Sequence, residues 1–213
     1  MRVEAKICGI KTTETLNAAV TGGAAFIGLV FHPPSPRYLS LEAAASLRRA
    51  VPPGVKAVAL VVDADDATLQ RIARDVRPDV FQLQGAETVK RSADIKSLTG
   101  ALIIRAMSIA RAEDIAAALP YQAVADWLMF DAKPAPGATS PGGSGESFDW
   151  KLLSGRRFQK PWLLAGGLNE GNVAAAIEAS GAALVDVSSG VERTRGEKDP
   201  ALIRAFLDRV RAL

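Results

Sequence analysis

The chain has one cysteine, Cys8, in "AKICGIK" (residues 5–11), where an apolar opening run meets its first loop. Side chains alternate along an extended segment, so Glu4, Lys6 and Cys8 share one face and Val3, Ala5 and Ile7 the other. A thiol at such a strand end can accept a proton if its ordinary pKa of about 8.5 is lowered by a cation or a helix dipole. Lys6, roughly 6–7 Å away on the same face, is a cation within reach. The alternative is a cysteine that packs as a small hydrophobe, the commoner fate of a lone thiol. Asp131 stands near the end of a second apolar run, "DWLMFDA" (126–132). An acid in that setting can have its pKa raised and so be able to donate a proton. An aspartate can equally well bind the N–H groups of the loop that follows.

Two further turns suit an anion. "AGGLNEGN" (165–172) brings Gly166 and Gly167 before a helix that the pattern starts at Asn169, and "DVSSGVE" (186–192) carries Asp186, Ser188, Ser189 and Gly190. Glycines let backbone N–H groups approach a phosphate, and a helix N-terminus adds partial positive charge. Arg37, in "SPRYLS", can hold a carboxylate with a bidentate pair, or be a solvated loop arginine. His32 beside "PPSP", Gln82 and Gln84 in "VFQLQ", and Arg105 in "ALIIRAM" complete the polar residues at strand ends.

The elements that must position these residues form a repeat. Apolar runs at 3–8, 24–31, 56–62, 80–84, 101–107, 126–132, 161–166 and 183–188 are each followed by a helical pattern. The last helix is the clearest, with Asp199 as N-cap, Pro200 at its first position, and Leu202, Ile203, Phe206, Leu207 and Val210 along one face. Alternation of strand and helix implies a parallel sheet with right-handed crossovers. Eight such units predict an α/β fold, a (βα)8 TIM barrel formed by a single domain over 1–213, whose function sits at the C-terminal strand ends. A flavodoxin-like or Rossmann sheet is the competitor, but "CGIKT" after the first strand is not the dinucleotide fingerprint. The glycine-rich stretch 133–147 is either an inter-domain linker or a functional loop of the barrel.

Composition narrows the classes. Apolar residues make up 48% and charged residues 23%, ordinary for a globular protein. No apolar run reaches membrane-spanning length and no secretory leader opens the chain, so a cytoplasmic location is expected, with no membrane partner. One cysteine and one histidine exclude an internal disulfide and a structural zinc cluster. The net charge of +3 is dispersed rather than gathered into a run, which suits a small anion without singling out nucleic acid.

Taken together, "KICGIK", "GLVFHPPSPRYLS", "FQLQG", "MFDAK", "PGGSGESFDW", "LLAGGL" and "DVSSGVE" resemble the phosphoribosylanthranilate isomerase family over residues 6–192. The resemblance implies an Amadori rearrangement in tryptophan biosynthesis, N-(5-phosphoribosyl)anthranilate becoming 1-(2-carboxyphenylamino)-1-deoxyribulose 5-phosphate. It implies Cys8 as general base and Asp131 as general acid. Arg37 would meet the anthranilate carboxylate. Gly166, Gly167, Ser188, Ser189 and Gly190, with Asp186 and Gln82 beside them, would bind the phosphorylated substrate, while Gly143, Ser144 and Gly145 close over the site. No metal and no cofactor are expected, no nucleic acid, and a monomer before a homodimer. The rate should fall in acid as Cys8 loses its thiolate, with an alkaline limb from Asp131. The family often has histidine where this chain has Gln84, and a glutamine cannot titrate there. The nearest rival is the histidine-pathway aldose–ketose isomerase, which pairs two aspartates. A non-catalytic phosphosugar-binding protein would keep the glycine turns without needing Cys8 or Asp131.

Overall fold

The computed structural model of the chain describes residues 3–133, 145 and 147–213. Eight parallel strands close into a barrel in the order of the sequence: β1 (Glu4–Cys8), β2 (Phe26–Val30), β3 (Lys56–Val61), β4 (Val80–Leu83), β5 (Leu102–Ile109), β6 (Trp127–Ala132), β7 (Trp162–Leu164) and β8 (Leu184–Val187). Pairing of Glu4 with Leu184 and of Lys6 with Asp186 seals the ring. Strands covered on both faces read as near-continuous apolar runs, which is why the sequence pattern located all eight.

Alternation along the strands divides the core in two. Phe26, Val58, Val80, Ile104, Ala106, Met129, Leu163, Ala165 and Leu184 fill the barrel interior. The opposite faces, with Ile7, Ile27, Ala59, Phe81, Ile103 and Phe130, pack outward under the helices. The interior is therefore apolar packing, and the buried polar side chains of the inner face, Lys6, Gln82, Gln84, Asp131 and Asp186, lie above it toward the C-terminal strand ends. Glu4, though on the same face of β1 as Lys6, is exposed at the other end.

Helices α1 (Thr13–Thr21), α2 (Leu41–Arg49), α3 (Asp66–Asp75) and α4 (Val89–Thr99) start where Thr12, Ser40, Asp65 and Thr88 accept a hydrogen bond from a first-turn N–H. Each cap ends a strand-to-helix loop, so these loops all rim the C-terminal mouth. The fifth unit has only a short helix, α5 (Ala112–Ala116), and in the sixth a 3₁₀ turn, Trp150–Leu153, stands where a helix would. The seventh helix, α6 (Val173–Ser180), begins later than the expected Asn169. Asn169 accepts from the Gly171 N–H at 2.9 Å and its own N–H donates to Asn172 Oδ1 at 2.8 Å, a local turn that competes with helix.

Helix α7 (Pro200–Arg211) has Asp199 as its N-cap, as expected, and buries Ile203, Phe206, Leu207 and Val210. Leu202, expected on that face, is instead exposed. A small hairpin, β9 (Glu192–Thr194) with β10 (Glu197–Lys198), was not foreseen; it follows β8 at the mouth. No described helix is long and apolar enough to cross a membrane.

Candidate active site

Above the apolar plug lies a buried polar layer. Lys6 on β1 is wholly buried and donates to Asp186 Oδ1 on β8 at 2.7 Å. Cys8, two residues further up β1, is also buried. A β-carbon placed on Gly28 of β2 would stand 3.0 Å from Cys8 Sγ and 3.3 Å from Lys6 Nζ, so thiol and ammonium share the space that the missing side chain leaves. From the other side, Asp131 on β6 accepts from Gln84 Nε2 at 3.0 Å and from the Ala132 N–H at 2.9 Å. Gln82, a layer below, donates to Gln84 Oε1 at 2.6 Å.

Burial dominates the electrostatics. It pushes the Asp131 carboxyl up to about 7, helped by the neighbouring Asp186 and opposed by the Ala132 N–H, Gln84 and Lys6. Asp131 is therefore an acid able to hold or release its proton at neutral pH. Burial also pushes the Cys8 thiol up; Lys6 and Lys198 pull it down and Asp186 adds to the rise. The expectation that a cation would bring Cys8 below its ordinary value is thus reversed. Lys6 is present as foreseen, but a fully enclosed sulfur loses more hydration than one half-neutralised ammonium returns. Burial likewise opposes the charge on Lys6, yet Asp186 and Cys8 outweigh it and hold the ammonium above its usual range.

The rim carries a second charged group. Arg37 is buried, and its Nε and Nη2 donate to Glu192 Oε1 and Oε2 at 2.7 and 3.0 Å. Lys198 donates to the same carboxylate and to the Ser188 carbonyl at 3.1 Å. Despite the cost of burial, these two cations hold Glu192 well down, at about 2. Neither Lys198 nor Glu192 was singled out from the sequence. Both lie in the β9–β10 hairpin, a polar segment whose only signal was the turn glycine in "TRGE".

The two glycine turns meet as expected. A β-carbon on Gly190 would fall 1.9 Å from the Leu168 carbonyl oxygen, so the turn after β8 packs directly on the loop after β7 and tolerates no side chain there. Asn172 Nδ2 fastens this loop by donating to the Gly167 carbonyl at 2.9 Å, and Ser188 Oγ reaches the Cys8 carbonyl at 3.3 Å. Gly145 lies against the same turn, its β-carbon position 3.6 Å from Ser189 Oγ. Gly143 and Ser144 lie outside the described residues.

Two strand-end residues belong elsewhere. Arg105 points away from the barrel axis, where it bonds Glu87, the Leu83 and Gly85 carbonyls, and lies over the Tyr121 ring at 5.0 Å. His32 lines a side groove of ≈ 490 Å³ with Tyr38, Asp63 and Arg71 rather than the space around Cys8.

A closed parallel barrel whose buried polar side chains gather at the C-terminal strand ends has the architecture of a (βα)8-barrel enzyme. Residues 5–209 match the family model of N-(5'-phosphoribosyl)anthranilate (PRA) isomerase. A relative of that name from Caulobacter sp. (strain K31) is 52% identical, the alignment covering 98% of this chain and 99% of the relative. The crystal structure of phosphoribosyl anthranilate isomerase from Thermotoga maritima superposes with a TM-score of 0.88 at 36% identity, covering 99% of this chain and all of the other. A further isomerase structure, solved in complex with reduced 1-(o-carboxyphenylamino)-1-deoxyribulose 5-phosphate, gives 0.86 at 32% identity, covering 99% and 100% of the two chains. The chain belongs to the PRA isomerase family, enzymes of tryptophan biosynthesis.

Proposed function

We propose that this chain converts N-(5'-phosphoribosyl)anthranilate to 1-(2-carboxyphenylamino)-1-deoxyribulose 5-phosphate, with Asp131 as general acid and Cys8 as general base. Protonated Asp131 gives its proton to the ribose ring oxygen, the C1–O bond breaks, and the anthranilate nitrogen lone pair forms the C=N bond of the open iminium ion. The Cys8 thiolate then takes the C2 proton, and the C2–H electrons form the C1=C2 bond of an enolamine. Tautomerisation moves the enol proton to C1 and leaves the C2 ketone. Oxidation at C2 balances reduction at C1, so no external redox partner enters.

The single observation that carries this reading is Asp131 buried beneath the mouth with a carboxyl near neutrality, facing the polar layer that holds Cys8 and Lys6. The two anionic ends of the substrate suit the two rim features. Gly166, Gly167, Ser188, Ser189 and Gly190, with Gly145 against the same turn and Gly143 and Ser144 beside it in sequence, would receive the phosphate end, while Asp186 serves the substrate through the Lys6 ammonium it holds. Arg37, already aligned by Glu192, would meet the carboxylate. Gln82 would act on the substrate from below, through Gln84.

The ionisation order has a mechanistic consequence. With Asp131 at about 7 and Cys8 above its ordinary value, the pair holds one proton at mildly alkaline pH, mostly on sulfur. The reactive arrangement, thiolate with carboxylic acid, is the minor one, and abstraction of the C2 proton returns the site to its preferred arrangement.

The purified protein should consume N-(5'-phosphoribosyl)anthranilate, followed as loss of its fluorescence. Cys8→Ser and Asp131→Asn should each lower kcat by about 10²- to 10⁴-fold. No turnover from a folded sample would overturn the assignment, and undiminished turnover by Cys8→Ser would overturn the mechanism alone.

A further inference from the structure

The position after β4 where the family often has histidine holds Gln84, and its surroundings show what an amide can do there. A charged carboxylate only accepts, so Gln84 must turn its NH2 group to Asp131 Oδ2, at 3.0 Å. Its carbonyl oxygen is then committed to Gln82 Nε2, at 2.6 Å. Gln82 Oε1 is left buried without a hydrogen-bond partner among the described residues. The chain Gln82→Gln84→Asp131 thus runs one way, with Gln82 Nε2 also reaching Met129 Sδ at 3.4 Å, and ends in an unused acceptor.

We propose that Gln84, backed by Gln82, is the positioning residue for Asp131, the two amides forming a reversible chain that serves both protonation states of the acid. With Asp131 charged, the chain runs as observed. With Asp131 protonated on Oδ2, both amides turn over: the carboxylic O–H donates to Gln84 Oε1, and Gln84 Nε2 donates to Gln82 Oε1, the acceptor unused in the other direction. Each direction keeps the Asp131–Gln84 and Gln84–Gln82 hydrogen bonds, the reversed one giving up the contact of Gln82 Nε2 with Met129 Sδ. To protonate the ribose ring oxygen the O–H turns from Gln84 Oε1 to the substrate, and Gln84 Nε2 takes up Oδ2 again as the carboxylate forms. A buried polar group that loses its partner is costly, so a chain that never strands Asp131 keeps the acid aligned through the cycle.

The other groups facing Asp131 do not fill this role. Lys6 on β1 and Asp186 on β8 act on it through charge, Cys8 lies on β1, and Ser108 is its neutral neighbour in register on β5. The Ala132 N–H on its own strand holds Oδ1 and donates whatever the acid's state. Among the described residues only Gln84 bonds Oδ2.

The inference rests on Asp131 being the acid of the proposed reaction, so its test reads Asp131 with and without turnover. With aspartate carboxyl carbons labelled, the Asp131 signal, identified by its loss in Asp131→Asn, should titrate at about 7 in the ligand-free protein. Gln84→Met removes a hydrogen bond from both forms, but the charge-assisted one to the carboxylate is the stronger, so that titration should move up by about one pH unit. It should move the limb of the pH–rate profile near neutrality by the same amount, with kcat altered and KM held within about twofold. Gln84→His should restore the wild-type titration, because neutral imidazole also offers one donor and one acceptor. If Gln84→Met does not fold, Gln84→Asn, whose amide stops one methylene short, carries the same expectation. An Asp131 titration unmoved in either folded variant overturns the inference. A shifted titration in a protein that does not turn the substrate over upholds it and sinks the proposed reaction instead.

Discussion

Lys6 and Asp186 face each other across the strand pair that closes the barrel, Nζ to Oδ1 at 2.7 Å, with the ammonium fully buried. The pair links everything the proposed chemistry uses. Lys6 draws down both the Cys8 thiol and the Asp131 carboxyl, while Asp186 raises both. Base and acid are therefore tuned by one ion pair from opposite directions, and their ionisations are coupled.

Lys6→Met should expose that coupling. It leaves Asp186 buried beside Asp131 with its compensating cation gone, a change that costs about 3–5 kcal/mol of stability. Held above its ordinary 10.5, Lys6 keeps this contribution across neutral pH and loses it only in strong alkali. Urea unfolding at neutral pH measures the loss. As the chain has one cysteine, alkylation by iodoacetamide reads Cys8 alone, and its midpoint should move to higher pH in the variant. A midpoint that stays put would show that Lys6 does not act on the thiol.

The pH–rate profile should be bell-shaped with its limbs reversed from the simple assignment. The acid limb, near pH 7, carries the Asp131 value, and the alkaline limb, above the ordinary thiol range, that of Cys8. Direct titration of the thiolate by its ultraviolet absorbance, in the ligand-free enzyme, separates the two. A thiolate already formed at neutral pH would sink this ordering.

Asp131→Asn should stabilise the protein while disabling it. The carboxyl titrates at about 7 folded against an ordinary 3.8, so between those values the folded state binds more protons and stability falls as pH rises. Below both values the difference vanishes; above 7 the wild type carries a penalty of the order of 4 kcal/mol as an upper bound. Urea curves at pH 5 and pH 8 should show the Asn variant gaining on wild type as the pH increases. An equal gap at both would place Asp131 outside the buried environment.

How much of this was legible in the sequence depends on whether the cause was local. The eight strands were, because a parallel strand buried on both faces is an apolar run with nothing else to be. The late start of α6 was not: Asn169 reads as a helix cap, and only the side chain of Asn172, bonded back to the Asn169 N–H, shows that the turn wins. Cys8 and Asp131 were legible as strand-end residues. Their ionisation order was not, since it depends on depth of burial, which spacing along β1 does not encode. The Lys6–Asp186 pair spans almost the whole chain and exists only because β8 closes onto β1. Lys198 and Glu192 sit in a polar hairpin with no period to betray it, and become site residues only when that hairpin folds over the mouth beside Arg37.

Gly28→Ala tests whether the space between Lys6 and Cys8 is part of the machinery. The added methyl would lie 3.0 Å from both Sγ and Cα of Cys8, and 3.3 Å from Lys6 Nζ. The contact with the Cys8 Cα is to backbone, so β1 must ease away from β2 by a few tenths of an ångström while the Cys8 and Lys6 side chains give way. Moving the ammonium from the sulfur removes its downward pull on the thiol, and moving the sulfur by even a fraction of an ångström spoils its approach to the C2 proton. The expected outcome is a folded protein with kcat about 10- to 100-fold lower, KM nearly unchanged, and the Cys8 alkylation midpoint shifted to higher pH. An active Gly28→Ala enzyme with an unshifted thiol would mean that glycine at this position serves packing alone.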